Sequence, residues 1–569
     1  MTEKSAPNAT MSGGDALVRM LQLQGVKHIF GVTGDTSLPF YDALYRLDHG
    51  ITHVLARDER CASYMAYVYA KLTGKVGVCE GPSGAGATYM LPGIAEANGS
   101  SVCVLGINSD IPVAGRDKFV LTELDMKALF KPVTKWNAVI ETPARLPKVL
   151  RTAFLEMTSG APGAAHIAVP YDVMKGELDA REVYAYAQFN HFPAVRPGAD
   201  PQTVRDTVEA LRSARRPVFV CGGGVVLADA CEVLEKVSAH LGVAIATSIS
   251  GQGAVSDRNP YAVGVAGTNG STPEARAFMA GCDLVVFIGT RAGSVVTEKW
   301  CNPQIGEKVI GHIDIDAHVI GSNYETRFPL MGDARTILGQ LLEEALRGDQ
   351  VQRDDLLDAV ATVKAARKAA LERAIRSATD KVEPEIVVRA LKATLPDDAV
   401  LVIDPGTPTP FLSAYLDTEV AGNNIVYNRF HGGLGFSLPG VVGAYFARPG
   451  QKCVAIMGDG SFGFSSSELE TISRLGIPVT LIVLSNSNYG WIKAGQFASY
   501  GERYFSVDFS PSNSARIAEA HGIRAWSVGE DDDVQAAIEQ ALHFNGPSLV
   551  EVRVRELHET QAPVSAWMG

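Results

Sequence analysis

The 569-residue sequence has no basic block: 51 Lys and Arg stand against 63 Asp and Glu, a net charge of −12. Nucleic acids and anionic membranes are held by clustered Lys and Arg, so neither is expected as a partner. No apolar run approaches the ~18 residues that span a bilayer. The first twelve residues, MTEKSAPNATMS, are polar and carry no apolar signal core, which makes a cytoplasmic location the expectation. Cysteine is scattered. The eight (Cys61, Cys79, Cys103, Cys221, Cys231, Cys282, Cys301, Cys453) never fall in C-x-x-C spacing, and several sit in apolar runs such as Val102-Cys103-Val104. They read as reduced core residues rather than a disulfide frame or a zinc site. Short-period repeats and low-complexity tracts are absent too. At 46% hydrophobic and 20% charged, the chain is ordinary globular material, not disordered, collagen-like or coiled-coil. Its length allows about three to five domains.

Short β-branched runs alternate with longer helical patterns, the signature of parallel α/β domains. Lys27–Val32 reads as a strand ending in a Thr33-Gly34-Asp35 turn. A helix from about Leu38, a strand at Thr52–Leu55, a helix over Arg60–Thr73 and a strand at Val76–Cys79 follow. That last strand runs into the small-residue turn Gly81-Pro82-Ser83-Gly84-Ala85-Gly86. Three prolines in the nine residues Pro193–Pro201 mark a linker. Pro217–Cys221, Asp283–Ile288 and Val309–Ile315 read as strands of a second unit, and a charged, Ala-rich helical connector spans Glu343 to about Lys381. A third unit begins near Ala399-Val400-Leu401. The expectation is α/β: three consecutive doubly wound parallel-sheet domains at 1–190, 191–360 and 361–569.

Met457-Gly458-Asp459-Gly460-Ser461 follows the apolar strand Cys453–Ile456. Ser465-Ser466-Ser467-Glu468 has capping-box spacing and predicts a helix start, with Gly476 suited to that helix's end. A buried strand Val479–Leu484 then leads to Ser485-Asn486-Ser487-Asn488-Tyr489-Gly490. Asp459 and Asn486 lie 27 residues apart, one strand–helix–strand excursion, which puts both at the same edge of a parallel sheet. A carboxylate, an amide oxygen and a backbone carbonyl make half of a hard-oxygen shell of the kind Mg²⁺ takes together with phosphate oxygens. Backbone N–H groups at Gly460-Ser461 and the Ser461 hydroxyl suit the phosphates.

G-D-G-S followed at this interval by N-x-N-Y-G resembles the magnesium–diphosphate motif of thiamine-diphosphate enzymes. Within them the chain is similar to the acetolactate synthase, benzoylformate decarboxylase and pyruvate decarboxylase group, over nearly its whole length. The resemblance implies a pyrimidine-binding N-terminal domain, a central Rossmann-like domain and a C-terminal domain for thiamine diphosphate and Mg²⁺. It implies Asp459 and Asn486 as side-chain metal ligands and Asn488 as a carbonyl ligand, with Gly458, Gly460, Ser461, Tyr489 and Gly490 around the cofactor. The family usually has Asn-Asn where this chain has Ser485-Asn486, but the ligand is the second of the pair.

In Ala56-Arg57-Asp58-Glu59-Arg60-Cys61-Ala62, Glu59 matches the family glutamate that hydrogen-bonds N1′ of the aminopyrimidine. The chemistry needs a partly buried carboxyl group there, because proton exchange at N1′ produces the 4′-imino tautomer that deprotonates the thiazolium. In His431–Pro439, Leu434 matches the apolar wedge between the cofactor rings, and the Gly432 carbonyl matches the acceptor for the 4′-amino group. Asp35 resembles the acidic residue that works on substrate in pyruvate decarboxylases; the alternative is a cap on the following helix. Glu80 falls where benzoylformate decarboxylase has an active-site histidine. An ionised carboxylate there disfavours a 2-oxo acid unless protonated or paired, which argues against a routine decarboxylase of that type.

Leu121 and Thr122 stand near where acetolactate synthases flank substrate with a Phe-Gln pair, and Gly495 where they keep a tryptophan. Tyr489, Trp491 and Gln496 are pocket candidates, with core or surface as the alternative. Gly264, Gly267 and Gly270, with Gly289-Thr290-Arg291, are similar to segments that hold FAD in acetolactate synthases and ADP in oxalyl-CoA decarboxylases. FAD, another nucleotide or an empty site stay open. The resemblance further implies a small-molecule substrate and a C–C bond made or broken next to a carbonyl, by 2-oxo acid decarboxylation or carboligation through an enamine. It implies a homodimer or homotetramer with active sites between chains. Alternatives in the family are a 2-hydroxyacyl-CoA lyase and a sulfoacetaldehyde-acetyltransferase-like enzyme. A non-catalytic cofactor-binding paralogue is a third, and the intact set of Glu59, Leu434, Asp459 and Asn486 argues against it.

Overall fold

Three six-stranded sheets, parallel throughout, carry the chain in a computed structural model that describes residues 10–376, 381–529 and 533–567. Contacts divide the molecule into two compact units. One comprises the stretch ending at Val195 together with Arg429–Pro449 and Ser467–Leu475; the other comprises Arg196–Asn428, Gly450–Ser466 and the chain from Gly476 onward.

In the first unit the strands lie, edge to edge, in the order Thr52–Leu55, His28–Gly31, Gly77–Gly81, Val104–Asp110, Ala165–Pro170, Trp136–Val139. Every residue of Val104–Asp110 is buried, as a strand covered on both faces requires. The strand predicted over Val76–Cys79 runs to Gly81, because Glu80 and Gly81 stay in register with Ile107 and Asn108. The helix Glu59–Thr73 opens on Asp58, whose side chain accepts the Arg60 N–H, and closes on Gly74 at φ 66°. Helix Ser437–Ala447 packs on it, with Gly443 letting the backbones meet at Met65.

The second unit holds two sheets. The order Ala262–Val265, Ala244–Thr247, Pro217–Cys221, Leu284–Ile288, Val309–Asp314, Phe328–Met331 is the dinucleotide-fold arrangement, third–second–first–fourth–fifth–sixth. The other runs Ile425–Tyr427, Val400–Ile403, Cys453–Gly458, Thr480–Ser485, Ser548–Arg553, Arg524–Val528. Counted along the chain, its order is second–first–third–fourth–sixth–fifth, the same as in the first unit. Two of the three sheets therefore share one topology and the central one differs.

The helix Asp354–Arg376 spans position 360: its Leu356, Val360 and Val363 join the core of the central sheet while Leu371 joins the next. One sequence expectation needs correcting. The helix predicted to start at Ser465 has already begun at Asp459, and Ser466–Glu468 is a 3₁₀ turn before Leu469–Leu475. No capping box forms, because Glu468 is spent otherwise: it accepts the Arg57 N–H at 2.9 Å and the Thr471 hydroxyl at 2.6 Å. Part of the predicted 343–381 connector (377–380) and nine of the first twelve residues lie outside the described residues. Among the described residues no helix is long and apolar enough to cross a membrane.

Candidate active site

Ligands of open α/β sheets bind beyond the strand ends where the strand order reverses. In the last sheet that point lies between Val400–Ile403 and Cys453–Gly458, so the chain leaving Gly458 is where a site is expected. It turns there directly into the helix Asp459–Ser465, with Gly458 as the N-cap. The neighbouring strand Thr480–Ser485 ends beside it, Leu484 opposite Gly458, and delivers Asn486 and Asn488 to the same edge.

Asp459 is 2% exposed. Its Oδ2 accepts the N–H groups of Asn486 at 3.0 Å and Ser487 at 2.7 Å and the Ser485 hydroxyl at 3.2 Å; Oδ1 accepts the Gly460 N–H at 2.9 Å. Burial still holds the carboxyl above its ordinary range, against the pull of these donors. Asn488 Nδ2 donates to the Asn486 carbonyl at 2.9 Å. Asn486 Nδ2 and Asn488 Oδ1 are buried without a hydrogen-bond partner. An amide flip exchanges the ends of Asn486, so its unpartnered end serves equally as an oxygen ligand.

Among the described residues no group of three or more His, Cys, Asp and Glu side chains would hold a metal. A cation at this edge would instead rest on one carboxylate, amide and carbonyl oxygens, and oxygens of its own ligand. That donor set fits Mg²⁺ and a diphosphate. Ser461 lies buried on the first helical turn, Gly460 lets the Tyr489 ring approach within 3.1 Å of where a Cβ would stand, and Gly490 does the same for Thr407 Oγ1 at 2.9 Å.

The substrate-side candidates of this unit are committed elsewhere. Trp491 packs on the hydrophobic core, its ring 5.2 Å from that of Trp567. Gln496 spends both ends of its amide on the Phe505 backbone, at 3.0 Å each. Tyr489 is more open, at 37% exposure, with its ring 5.3 Å from Phe509.

In the first unit the strand order reverses between His28–Gly31 and Gly77–Gly81. Glu59, the first residue of its helix, is buried, and that burial, reinforced by Asp58, raises its carboxyl above the ordinary range. It lies against the end of Gly77–Gly81 and the turn after it: a Cβ on Gly86 would stand 2.9 Å from Glu59 Oε1, and one on Gly81 would stand 3.0 Å from Cγ.

Glu80 is 1% exposed, and burial pushes its carboxyl up to about 8, against the hydrogen bond from Tyr41. The Tyr41 hydroxyl donates to Oε2 at 2.6 Å; Oε1 is buried with no partner. The Tyr41 hydroxyl also lies 2.9 Å from His53 Nε2. Burial pulls His53 down to about 4, which keeps that ring neutral at pH 7. His53, Tyr41 and Glu80 thus form one hydrogen-bonded chain.

Asp35 is exposed within the 3₁₀ turn Asp35–Ser37 and accepts the Thr36 N–H at 2.8 Å, so it does not cap the helix Leu38–Arg46. Thr122 sits at φ 70°, and its Oγ1 lies 2.7 Å from Ser83 Oγ, tying its loop to the turn after Glu80. Thr36 joins the cluster, 2.7 Å from Ser109 Oγ and 3.2 Å from Ser83 Oγ. Leu121 is 84% exposed. Gly432 (φ 70°) and Gly435 (φ 76°) bracket half-buried Leu434 in the left-handed conformation.

Sequence reasoning missed Tyr41, His53, Thr36 and Ser83, because nothing in their local pattern announces partners 12 to 73 residues away. Cβ atoms on Gly264, Gly267 and Gly270 would meet Arg367, Val295 and Ser413, and Gly222 and Gly224 pack on Gly289 at the reversal point.

The matches to known proteins agree with this geometry. Residues 11–129 match the thiamine pyrophosphate enzyme N-terminal TPP binding domain, 204–341 the central domain, and 404–552 the C-terminal TPP binding domain. The chain belongs to the thiamine pyrophosphate enzyme family. It is similar over its length to acetolactate synthases. It is 31% identical over 556 residues to the probable acetolactate synthase large subunit of Methanocaldococcus jannaschii, covering 95% of this chain and 92% of that protein. Against the acetolactate synthase of Mycobacterium bovis it is 31% identical over 549 residues (95% and 87%). Against the acetolactate synthase large subunit of Corynebacterium glutamicum it is 29% identical over 574 (99% and 90%).

Proposed function

We propose that this chain is a thiamine-diphosphate- and Mg²⁺-dependent enzyme that makes or breaks a carbon–carbon bond next to the carbonyl of a 2-oxo acid. The observation that carries the reading is buried Asp459 beside the unpartnered amide of Asn486 at adjoining strand ends. These two side chains, with the Asn488 carbonyl, would hold the metal. Glu59 would hold a proton at the pyrimidine ring nitrogen, Leu434 would support the rings, and the Gly432 carbonyl would accept from the amino group. Bound thiamine diphosphate supplies a nucleophilic carbon and an electron sink.

Glu80 bears on the donor. As an anion it would repel a 2-oxo carboxylate; held neutral by burial it does not, which removes the objection raised by its residue type. That leaves an oxo-acid donor open, and the likeness to acetolactate synthases supports it over the lyase and acetyl-transfer alternatives. A homodimer or homotetramer and a cytoplasmic location belong to the same proposal. Family likeness supports the first, testable by light scattering, and eight cysteines with no disulfide among the described residues support the second.

The test is CO₂ release from a panel of 2-oxo acids with and without thiamine diphosphate and Mg²⁺, products identified by mass spectrometry, with Glu59→Ala as the blank. Cofactor-dependent CO₂ that the blank does not release is the expected result. No CO₂ from any 2-oxo acid would overturn the donor assignment.

A further inference from the structure

Glu96, on the helix Ala85–Gly99 of the first unit, is completely buried. Its Oε2 accepts the His431 N–H at 2.7 Å and the Phe430 N–H at 3.2 Å; its Oε1 accepts the Arg429 N–H at 3.2 Å, the Phe430 N–H at 3.3 Å and the Ser100 hydroxyl at 2.7 Å. Three consecutive backbone N–H groups converging on one point form an anion-binding nest, and here the anion comes from the chain itself. Buried Lys71, on the helix that starts with Glu59, supplies the opposite charge, and the attraction of Glu96 offsets part of the burial that pulls its ammonium down. Phe430 is further seated on Gly99, where any Cβ would collide with its ring.

Immediately after this clamp come Gly432, Gly433 and Leu434. On the far side Phe436 is fixed, its ring 5.3 Å from Tyr64 and 5.7 Å from Tyr67. The loop is thus held at both ends.

We propose that Glu96, with Lys71 as its counter-charge, is a positioning residue for the cofactor: by fixing Arg429–His431 it places the Gly432 carbonyl and the Leu434 side chain where they receive the thiamine rings. This rests on the function proposed above. The negative charge is what matters. A glutamine has one acceptor end and one donor end, and the donor end would face N–H groups it cannot satisfy. An aspartate keeps the charge with a shorter reach.

The test compares wild type, Glu96→Gln and Glu96→Asp by calorimetric titration with thiamine diphosphate plus Mg²⁺, alongside hydrogen exchange of the 429–434 amides. Glu96→Gln is expected to exchange these amides at least about 10-fold faster and to bind the cofactor about 10- to 100-fold more weakly, the range for losing charge-assisted hydrogen bonds. Glu96→Asp should recover most of the affinity, and KM for substrate at saturating cofactor should stay near wild type. Should Glu96→Gln not fold, Lys71→Met, which removes only the counter-charge, is expected to weaken cofactor binding in the same way. Unchanged cofactor affinity in a folded Glu96→Gln or Lys71→Met protein overturns the positioning role. Absence of cofactor binding in wild type would instead overturn the proposed function, while faster exchange in Glu96→Gln would still report the clamp.

Discussion

Replacing Glu80 with glutamine should flatten the pH dependence of stability between about pH 5 and 8. Burial raises this carboxyl from 4.5 to about 8, so the folded state holds a proton that the unfolded state releases. A raised folded-state value contributes stability that is complete below the unfolded value and is lost as pH climbs through the folded one. At about 1.4 kcal/mol per unit the window holds at most ~5 kcal/mol, and screening and relaxation bring a realistic figure to ~2–5 kcal/mol. Glutamine has the shape of the protonated acid, keeps an acceptor for Tyr41 and does not titrate. Urea unfolding of the cofactor-free proteins at pH 5, 6, 7 and 8 supplies the test. Wild type should lose stability relative to Glu80→Gln steadily over that range, whatever their offset at pH 5. Parallel curves would mean that Glu80 ionises like a surface carboxylate. The electrostatic objection to a 2-oxo acid donor would then return.

Tyr41→Phe removes the hydrogen bonds to Glu80 Oε2 and His53 Nε2, at a cost of about 1–3 kcal/mol by thermal or urea unfolding. Because the Tyr41 hydrogen bond pulls Glu80 down, the same variant should move the Glu80 titration still higher, seen as a stability loss displaced to more alkaline pH. Gly433→Ala would put a Cβ 2.2 Å from the Tyr64 hydroxyl, and should cost about 1–3 kcal/mol and weaken cofactor binding in a titration. Gly339→Ala, mid-helix with nothing within 4 Å, is the matched control and should stabilise by about 0.5–1 kcal/mol.

Hydrophobic runs were enough to read the three parallel sheets, since strands buried on both faces are apolar along their length. The site was legible where its residues cluster in sequence. Asp459 and Asn486 are separated by one β-α-β excursion, and the structure puts them on adjoining strand ends. Glu59 follows directly on its helix cap. What stayed hidden was long-range. Glu96 reaches backbone N–H groups some 330 residues away, Glu468 reaches Arg57, and Tyr41 joins strands at positions 53 and 80. Local pattern misled where a residue type suited one task and tertiary contacts gave it another. Glu468 looked like half of a capping box and instead accepts the Arg57 N–H.

Calorimetric titration of thiamine diphosphate into the wild-type protein and Asp459→Asn, each with and without Mg²⁺, tests the central claim most directly. Wild type should bind the cofactor tightly only when Mg²⁺ is present. Asp459→Asn, which keeps the shape but loses the buried charge, should bind about 100-fold more weakly and lose the metal dependence. Equal, metal-independent binding by both proteins would contradict the account.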